Sequence, residues 1–258
     1  MPEGLLANLT AQEAADLALV ARRAAGTLSG ALFLVLSLSI QGRAQPAALP
    51  ALPAKVGDLD DILARRNLRL IVAYSRTLYF IDRGRQLGGT AELGRAFEAW
   101  INARYKVRNG FHVVFEPTPR DRLFQALLDG RGDAVAANLT ITPEREAIVD
   151  FSAPIGTGVK EIVVTGPKSP PLEHLDDLAG KDVRVRKSSS YATHLAALNA
   201  TFQARGLNPM KIGDLPEEIE DEDAMEMVSA GMLPLAIVDK HKADIWVGVY
   251  PGLKARAD

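Results

Sequence analysis

Short apolar segments rich in β-branched residues alternate with segments of helical periodicity from residue 68 onward. The strand-like segments span residues 68–74, 112–116, 133–138, 161–165, 182–186 and 235–238. Between two of them, Leu93, Phe97, Trp100 and Ile101 recur at the spacing of one apolar helix face. This alternation predicts an α/β fold with mainly parallel sheets, because a helix between two strands lets both run in the same direction.

Charge and cysteine content exclude several classes of protein. The 258-residue chain has 30 Lys and Arg against 32 Asp and Glu, a formal net charge of −2. This balance provides no basic face, so nucleic acid is not an expected partner. The absence of cysteine excludes disulfides, thiolate zinc sites and a cysteine nucleophile. The four histidines are too scattered for metal-ligand spacing, and we predict neither a metal site nor a cofactor.

Residues 1–44 have the parts of an export signal. Residues 24–40 form an uncharged, mostly apolar run, preceded by Arg22 and Arg23 and followed by the small-x-small exit Gly42-Arg43-Ala44. We predict a signal peptide cleaved after Ala44 or an N-terminal membrane anchor, and therefore a periplasmic protein that meets the membrane only through this segment. A buried core helix is the remaining alternative. The prolines and alanines that follow predict a linker and lead-in over residues 45–66.

Polar groups cluster where four of the predicted strands end. Arg76 follows the first strand, residues 138–145 follow the third, residues 187–190 follow the fifth, and Asp239 follows the last. Ligands of open α/β sheets bind beyond the carboxyl ends of the strands, and helix N-termini there attract carboxylates. Arg145 adds a guanidinium suited to a carboxylate, whereas Asp239 would suit an ammonium group. Together these groups predict a site for a zwitterion, that is, an α-amino acid.

Each of these residues also has an ordinary structural interpretation. Asp239 could cap its helix, the serines could form turns and caps, and Arg145 could make a surface ion pair. Their joint position at strand exits, rather than any single residue, favours a binding site. Elsewhere, seven acids within residues 217–226 predict a solvated helix start, and no strained elbow for a Ser–His–Asp hydrolase is found.

Three segments resemble a known family. Residues 132–155, 175–195 and 224–246 are similar, in that order, to segments of the family 3 extracellular solute-binding proteins, the polar amino-acid binders of ABC transporters. The first segment, with the sequence NLTITPER, is the most specific. Within that family the chain most resembles the substrate-binding module fused to membrane-bound lytic murein transglycosylases.

The resemblance implies a periplasmic-binding-protein type II fold, in which two α/β lobes joined by a hinge close on a ligand. The lobes would be residues 67–158 and 159–258. By position, Arg145 would hold the ligand carboxylate and Asp239 its ammonium. The other ligand contacts that the resemblance implies are Asn138, Thr140, Ser189, Ser190 and an aromatic from Tyr79 or Phe80, with Arg76 nearby.

The chain also departs from the family pattern. Gly89 stands where an aromatic residue is common and Pro234 where Asp is common, which leaves the side-chain class of the ligand open. Family members return to the first lobe after the second, and we expect this chain to be truncated before that return, with no catalytic domain. Its function would be that of a periplasmic solute-binding module, which captures an amino acid or a small amino-bearing ligand between two lobes and has an ABC permease as partner. The alternatives are a regulatory domain that binds amino acids or muropeptide fragments for a murein hydrolase domain, or a non-binding structural remnant.

Overall fold

The computed structural model describes residues 56–256, so the predicted export signal and the first half of the predicted linker and lead-in lie outside the described residues. The first half contains α1 (Leu59–Arg65), β1 (Asn67–Val72), β2 (Phe80–Asp82), β3 (Arg85–Leu87), α2 (Gly89–Tyr105), β4 (His112–Pro117), α3 (Leu123–Leu128), β5 (Ala134–Val135) and α4 (Pro143–Glu146). The second half contains β6 (Glu161–Thr165), β7 (Asp182–Val185), α5 (Ser190–Ala204), β8 (Lys211–Asp214), α6 (Asp221–Ser229), β9 (Leu235–Asp239), α7 (Lys240–Trp246) and β10 (Lys254–Arg256).

The first lobe is built on a parallel sheet with the strand order β4–β1–β5. Its central strand β1 is covered on both faces. Ile71 packs against Leu123 on one side, whereas Leu70 and Val72 pack against Tyr79 on the other. A strand buried on both faces has a continuous apolar sequence, which is why residues 68–74 gave a clear strand signal. The prediction of parallel pairing holds for this sheet, whereas the β2–β3 pair of the same lobe is antiparallel.

The second lobe has two sheets of different kinds. Strand β6 pairs antiparallel with β9 and β10, and β7 pairs parallel with β8. The prediction of mainly parallel sheets is therefore wrong for the β10–β6–β9 sheet. The alternation of strands and helices locates the strands, but their direction depends on the path of the intervening chain. That path brings Asp239 of β9 opposite Glu161 of β6 in antiparallel register.

Some local structure differs from the sequence prediction. Helix α1 lies within residues 45–66, where a linker was predicted, and Asp58 caps its first turn by accepting a hydrogen bond from the Leu59 N–H at 3.1 Å. The apolar face of α2 is only partly buried. Ile101 is in the core, whereas Leu93 and Trp100 are about half exposed, since no described element covers them. None of the helices among residues 56–256 has the length and apolarity needed to cross a membrane.

Candidate functional site

A polar cavity, open to solvent, lies where the two lobes meet. The first lobe contributes residues that follow β4 and β5, and the second contributes residues that follow β7 and β9. The cavity is therefore at the carboxyl ends of strands, as expected for ligand sites of α/β folds. Six of the eight predicted ligand-binding residues line it: Asn138, Thr140, Arg145, Ser189, Ser190 and Asp239.

Arg145 is positioned by the start of helix α4. Thr142 is the N-cap, and its side chain accepts a 3.4 Å hydrogen bond from the Arg145 backbone N–H. The guanidinium then donates to the backbone carbonyl of Thr140 at 2.8 Å and, across the lobe boundary, to that of Ser188 at 3.0 Å. It also lies 5.5 Å from the ring centroid of Phe124.

The charge of Arg145 has no ionic partner within the described part of the chain. Neither of its two hydrogen-bond acceptors is a carboxylate. Burial lowers the pKa of Arg145, and the nearby positive charge of Arg120 lowers it further. Arg145 is thus a partly desolvated cation at the wall of an open cavity, which is the environment that attracts an anion.

Ser190, Thr140 and Asn138, three of the predicted residues, make contacts between the two lobes beside Arg145. The Ser190 hydroxyl is 3.3 Å from the Thr140 hydroxyl, and the Asn138 amide is 3.0 Å from the His241 ring. Asn138 has a φ of 50°, in the left-handed region that asparagine tolerates better than most residues. The strand predicted over residues 133–138 is therefore shorter in the structure, where β5 ends at Val135. The Ser189 hydroxyl donates to the Arg186 carbonyl at 2.7 Å.

Asp239 is the last residue of β9 and is almost completely buried. The ammonium group of Lys242, one helical turn further on, is 3.5 Å from the Asp239 carboxylate. The same ammonium is 2.6 Å from the Asp221 carboxylate. The group that faces Asp239 in this structure is therefore a cation of the chain itself.

Arg76 and Tyr79 do not line the cavity, and their expected place in the site is corrected. Tyr79 is fully buried, 5.0 Å from the ring of Phe115, because a two-way backbone bridge to Ser75 directs it into the first-lobe core. Arg76 instead joins the lobes at their edge. Its guanidinium is 2.6 Å from Asp223 and 2.7 Å from Glu226.

The acidic stretch at residues 217–226 is not the solvated helix start that was predicted. Glu220, Asp221 and Glu222 are 3%, 3% and 1% exposed, because the start of α6 is inserted against the first lobe. Arg120 of the first lobe makes two 2.7 Å hydrogen bonds to Glu220. Arg186 donates to Asp221 at 3.0 Å.

The buried acids at the start of α6 have opposite shifts in pKa. Burial tends to raise the pKa of Asp221, but Lys242 and Arg186 outweigh it and hold that pKa well below its ordinary range. Burial raises the pKa of Glu222, whose partners are neutral: the Ser75 hydroxyl at 2.7 Å and the Thr77 N–H at 3.1 Å. Asp221 therefore belongs to an ion-pair network, whereas Glu222 is held by hydrogen bonds.

Sequence reasoning missed three basic residues that line the cavity: Arg120, Arg186 and Lys242. Each had a signal. Arg120 follows the end of β4, a strand exit that was not considered, and Arg186 directly precedes the serines of the fifth exit. Lys242 is three residues after Asp239, a spacing that places two side chains on the same side of a helix.

With two α/β lobes around this cavity, the chain has the fold of the type II class of periplasmic binding proteins. Solved structures agree: an ancestral arginine-binding protein bound to arginine has a TM-score of 0.59 at 26% identity, over 74% of this chain and 79% of that one. The ancestral amino acid-binding protein AncCDT-1 shares the fold, with a TM-score of 0.59 at 23% identity, over 76% and 79% of the two chains.

The family follows from the sequence itself. The model of the bacterial extracellular solute-binding proteins, family 3, matches residues 77–218, which is more than half of the chain. The chain belongs to this family, which confirms the resemblance and the type II fold.

Curated relatives resemble the chain over part of their length. The membrane-bound lytic murein transglycosylase F of Ectopseudomonas mendocina (strain ymp) is 26% identical over 201 residues, 78% of this chain and 38% of the relative. The protein of the same name from Pseudomonas savastanoi pv. phaseolicola is 28% identical over 192 residues, 74% of this chain and 36% of the relative. The chain thus spans less than two fifths of these relatives.

Proposed function

We propose that the chain is a periplasmic binding module, without catalysis of its own, that captures a small carboxylate-bearing solute such as an amino acid between its lobes. One observation carries the proposal. The guanidinium of Arg145 faces an open cavity, and its hydrogen-bond acceptors among residues 56–256 are the backbone carbonyls of Thr140 and Ser188, one from each lobe. A ligand carboxylate would supply the charge partner that the described residues do not.

Groups around Arg145 would help to bind the same carboxylate. Helix α5 begins at Ser190 without a side-chain cap, and the positive end of a helix favours an anion. Thr140 of the first lobe and Ser190 of the second are already in contact. A ligand held by both would be bound only when the lobes meet, so binding would shift the molecule toward the closed state.

Calorimetric titration of the full chain against a panel of amino acids and related carboxylates tests this function. Arg145→Ala should weaken binding of any ligand found by about 2–5 kcal/mol, because it removes one member of a desolvated charge pair. Arg131→Ala is the matched control, since Arg131 pairs with Glu116 on the surface of the same lobe. Undiminished affinity in Arg145→Ala would refute the assignment.

The curated relatives favour a second candidate function: a regulatory substrate-binding domain of a lytic transglycosylase. Those relatives are transglycosylases, and the chain matches less than two fifths of their length. In this function the ligand would be an amino acid or a muropeptide fragment, and the partner a murein hydrolase domain rather than an ABC permease. Titration with muropeptides and with free amino acids distinguishes the two candidate functions. Tighter binding of muropeptides would favour the regulatory function, and tighter binding of amino acids would favour uptake.

A further inference from the structure

In a site for an amino acid, the Asp239 carboxylate would bind the ammonium group of the ligand. In this structure it already faces the ammonium group of Lys242. Lys242 and Asp239 are both about 5% exposed, and 3.5 Å separates their charged atoms. Lys242 is fixed there by the 2.6 Å ion pair with Asp221, which in turn receives hydrogen bonds from Tyr191 and Arg186. A second ammonium beside Asp239 would therefore lie close to a like charge in a desolvated environment.

Arg145, at the same cavity, has no ionic partner within residues 56–256. Its guanidinium donates to two backbone carbonyl oxygens instead. Arg186 lines the cavity and is 5% exposed, yet its Nε atom has no hydrogen-bond acceptor within residues 56–256. A buried donor without an acceptor is costly, and an oxygen-rich anion in the cavity could supply one. The acid at the cavity rim, Asp121, is exposed, so water and salt screen its charge.

We propose that the cavity selects small carboxylates that lack an adjacent ammonium group over the corresponding α-amino acids, because Lys242 takes the ammonium's place at Asp239. The preferred ligands would be 2-hydroxy acids, 2-oxo acids or N-acylated amino acids. This inference rests on the proposed binding function and narrows its ligand class.

Matched pairs of ligands test the preference on the unmodified full chain. The pairs are L-lactate with L-alanine, 2-hydroxyglutarate with L-glutamate, and phenyllactate with L-phenylalanine, each measured by calorimetry with the N-acetyl amino acid as a third member. In any set that binds, we expect the hydroxy or N-acetyl acid to bind at least about tenfold more tightly. Equal or tighter binding of the free amino acid would overturn this inference while leaving the proposed function intact. No binding in any set would instead remove the proposed function.

Substitution of Lys242 tests the cause. Lys242→Met removes the ammonium and frees Asp239, so binding of the amino acid should improve about tenfold relative to its hydroxy partner. Lys240→Met is the control, because Lys240 is on the same helix but pairs with Asp244 outside the cavity. An unchanged preference in folded Lys242→Met would overturn the role of Lys242. If that variant does not fold, the matched pairs on the unmodified chain still decide the preference.

Discussion

Arg120 and Arg145 are first-lobe arginines that line the same cavity and reach across to the second lobe, yet they meet different partners there. Arg120 finds the Glu220 carboxylate, and both side chains of that pair are at most 7% exposed. Arg145 finds only the Ser188 carbonyl. The comparison teaches that an arginine at a lobe boundary joins the lobes when the other lobe supplies a carboxylate. It remains available to a ligand when the other lobe supplies a carbonyl.

The largest expected effect is on the Arg120 side. Arg120→Ala should lower the free energy of unfolding by about 3–5 kcal/mol, because the buried Glu220 carboxylate loses its close ion pair and keeps only the 3.9 Å contact with Arg186 among the described residues. Urea denaturation of the full chain measures the change. Arg122→Ala, at an exposed arginine two residues away, is the control.

A double substitution sharpens this result. Replacing Arg120 and Glu220 together by Met and Leu removes both charges and should recover part of the lost stability. A stability of Arg120→Ala equal to that of the unmodified chain would contradict the view that this pair joins the lobes.

Glu222 should make stability depend on pH in the direction opposite to an ordinary ion-paired acid. Burial raises the pKa of Glu222 above its ordinary value of 4.5 in the folded state, so the folded chain holds this proton more tightly than the unfolded chain. The contribution of Glu222 to the free energy of unfolding is therefore greatest below about pH 4.5, and it falls as the pH rises through the pKa of Glu222 in the folded state. Glu222→Gln keeps an acceptor for Ser75 without the charge, so it should exceed the unmodified chain in stability at pH 7, by less than Arg120→Ala loses.

Denaturation curves of both proteins between pH 4 and pH 7 test the role of Glu222. The two stabilities should converge as the pH approaches 4, where Glu222 is protonated. A variant that is less stable than the unmodified chain across the whole range would show that the Glu222 charge stabilises the boundary.

Trp246 contributes a single hydrogen bond between the lobes. Its indole N–H donates to the Thr77 hydroxyl at 2.8 Å, and its ring stacks on Tyr250. Trp246→Phe keeps an aromatic ring but loses that donor and some buried volume, since Trp246 is 3% exposed, so stability should fall by at least about 1 kcal/mol. Trp100→Phe is the matched control, because Trp100 is 53% exposed. A larger loss in the control than in Trp246→Phe would argue against this role.

The smallest stability effect is expected on the Arg145 side. In the absence of ligand, Arg145→Ala should change the free energy of unfolding by less than about 1 kcal/mol, since the carbonyls it leaves face an open cavity where water can reach them. Thermal denaturation beside Arg120→Ala measures the difference. A loss as large as that of Arg120→Ala would mean that both arginines join the lobes.

Much of the fold and part of the site could be predicted from local sequence. The apolar run of β1 and the helical spacing of α5 locate elements because they record how each residue relates to its near neighbours. The motif with Arg145 and the position of Asp239 after the predicted strand 235–238 placed both residues at the cavity. Tyr79 was misplaced because its aromatic side chain suits a core as well as a ligand site.

The sequence by itself determined the alternation of strands and helices, the family and the strand exits that carry polar groups. Only the tertiary structure decided the antiparallel direction of β6, the burial of Glu220 to Glu222 and the partner of each charged group in the cavity. Arg120 and Glu220 are 100 residues apart, and nothing in the pattern around either one specifies the other. Periodicity describes contacts within one element, whereas pairing across lobes depends on how whole elements pack.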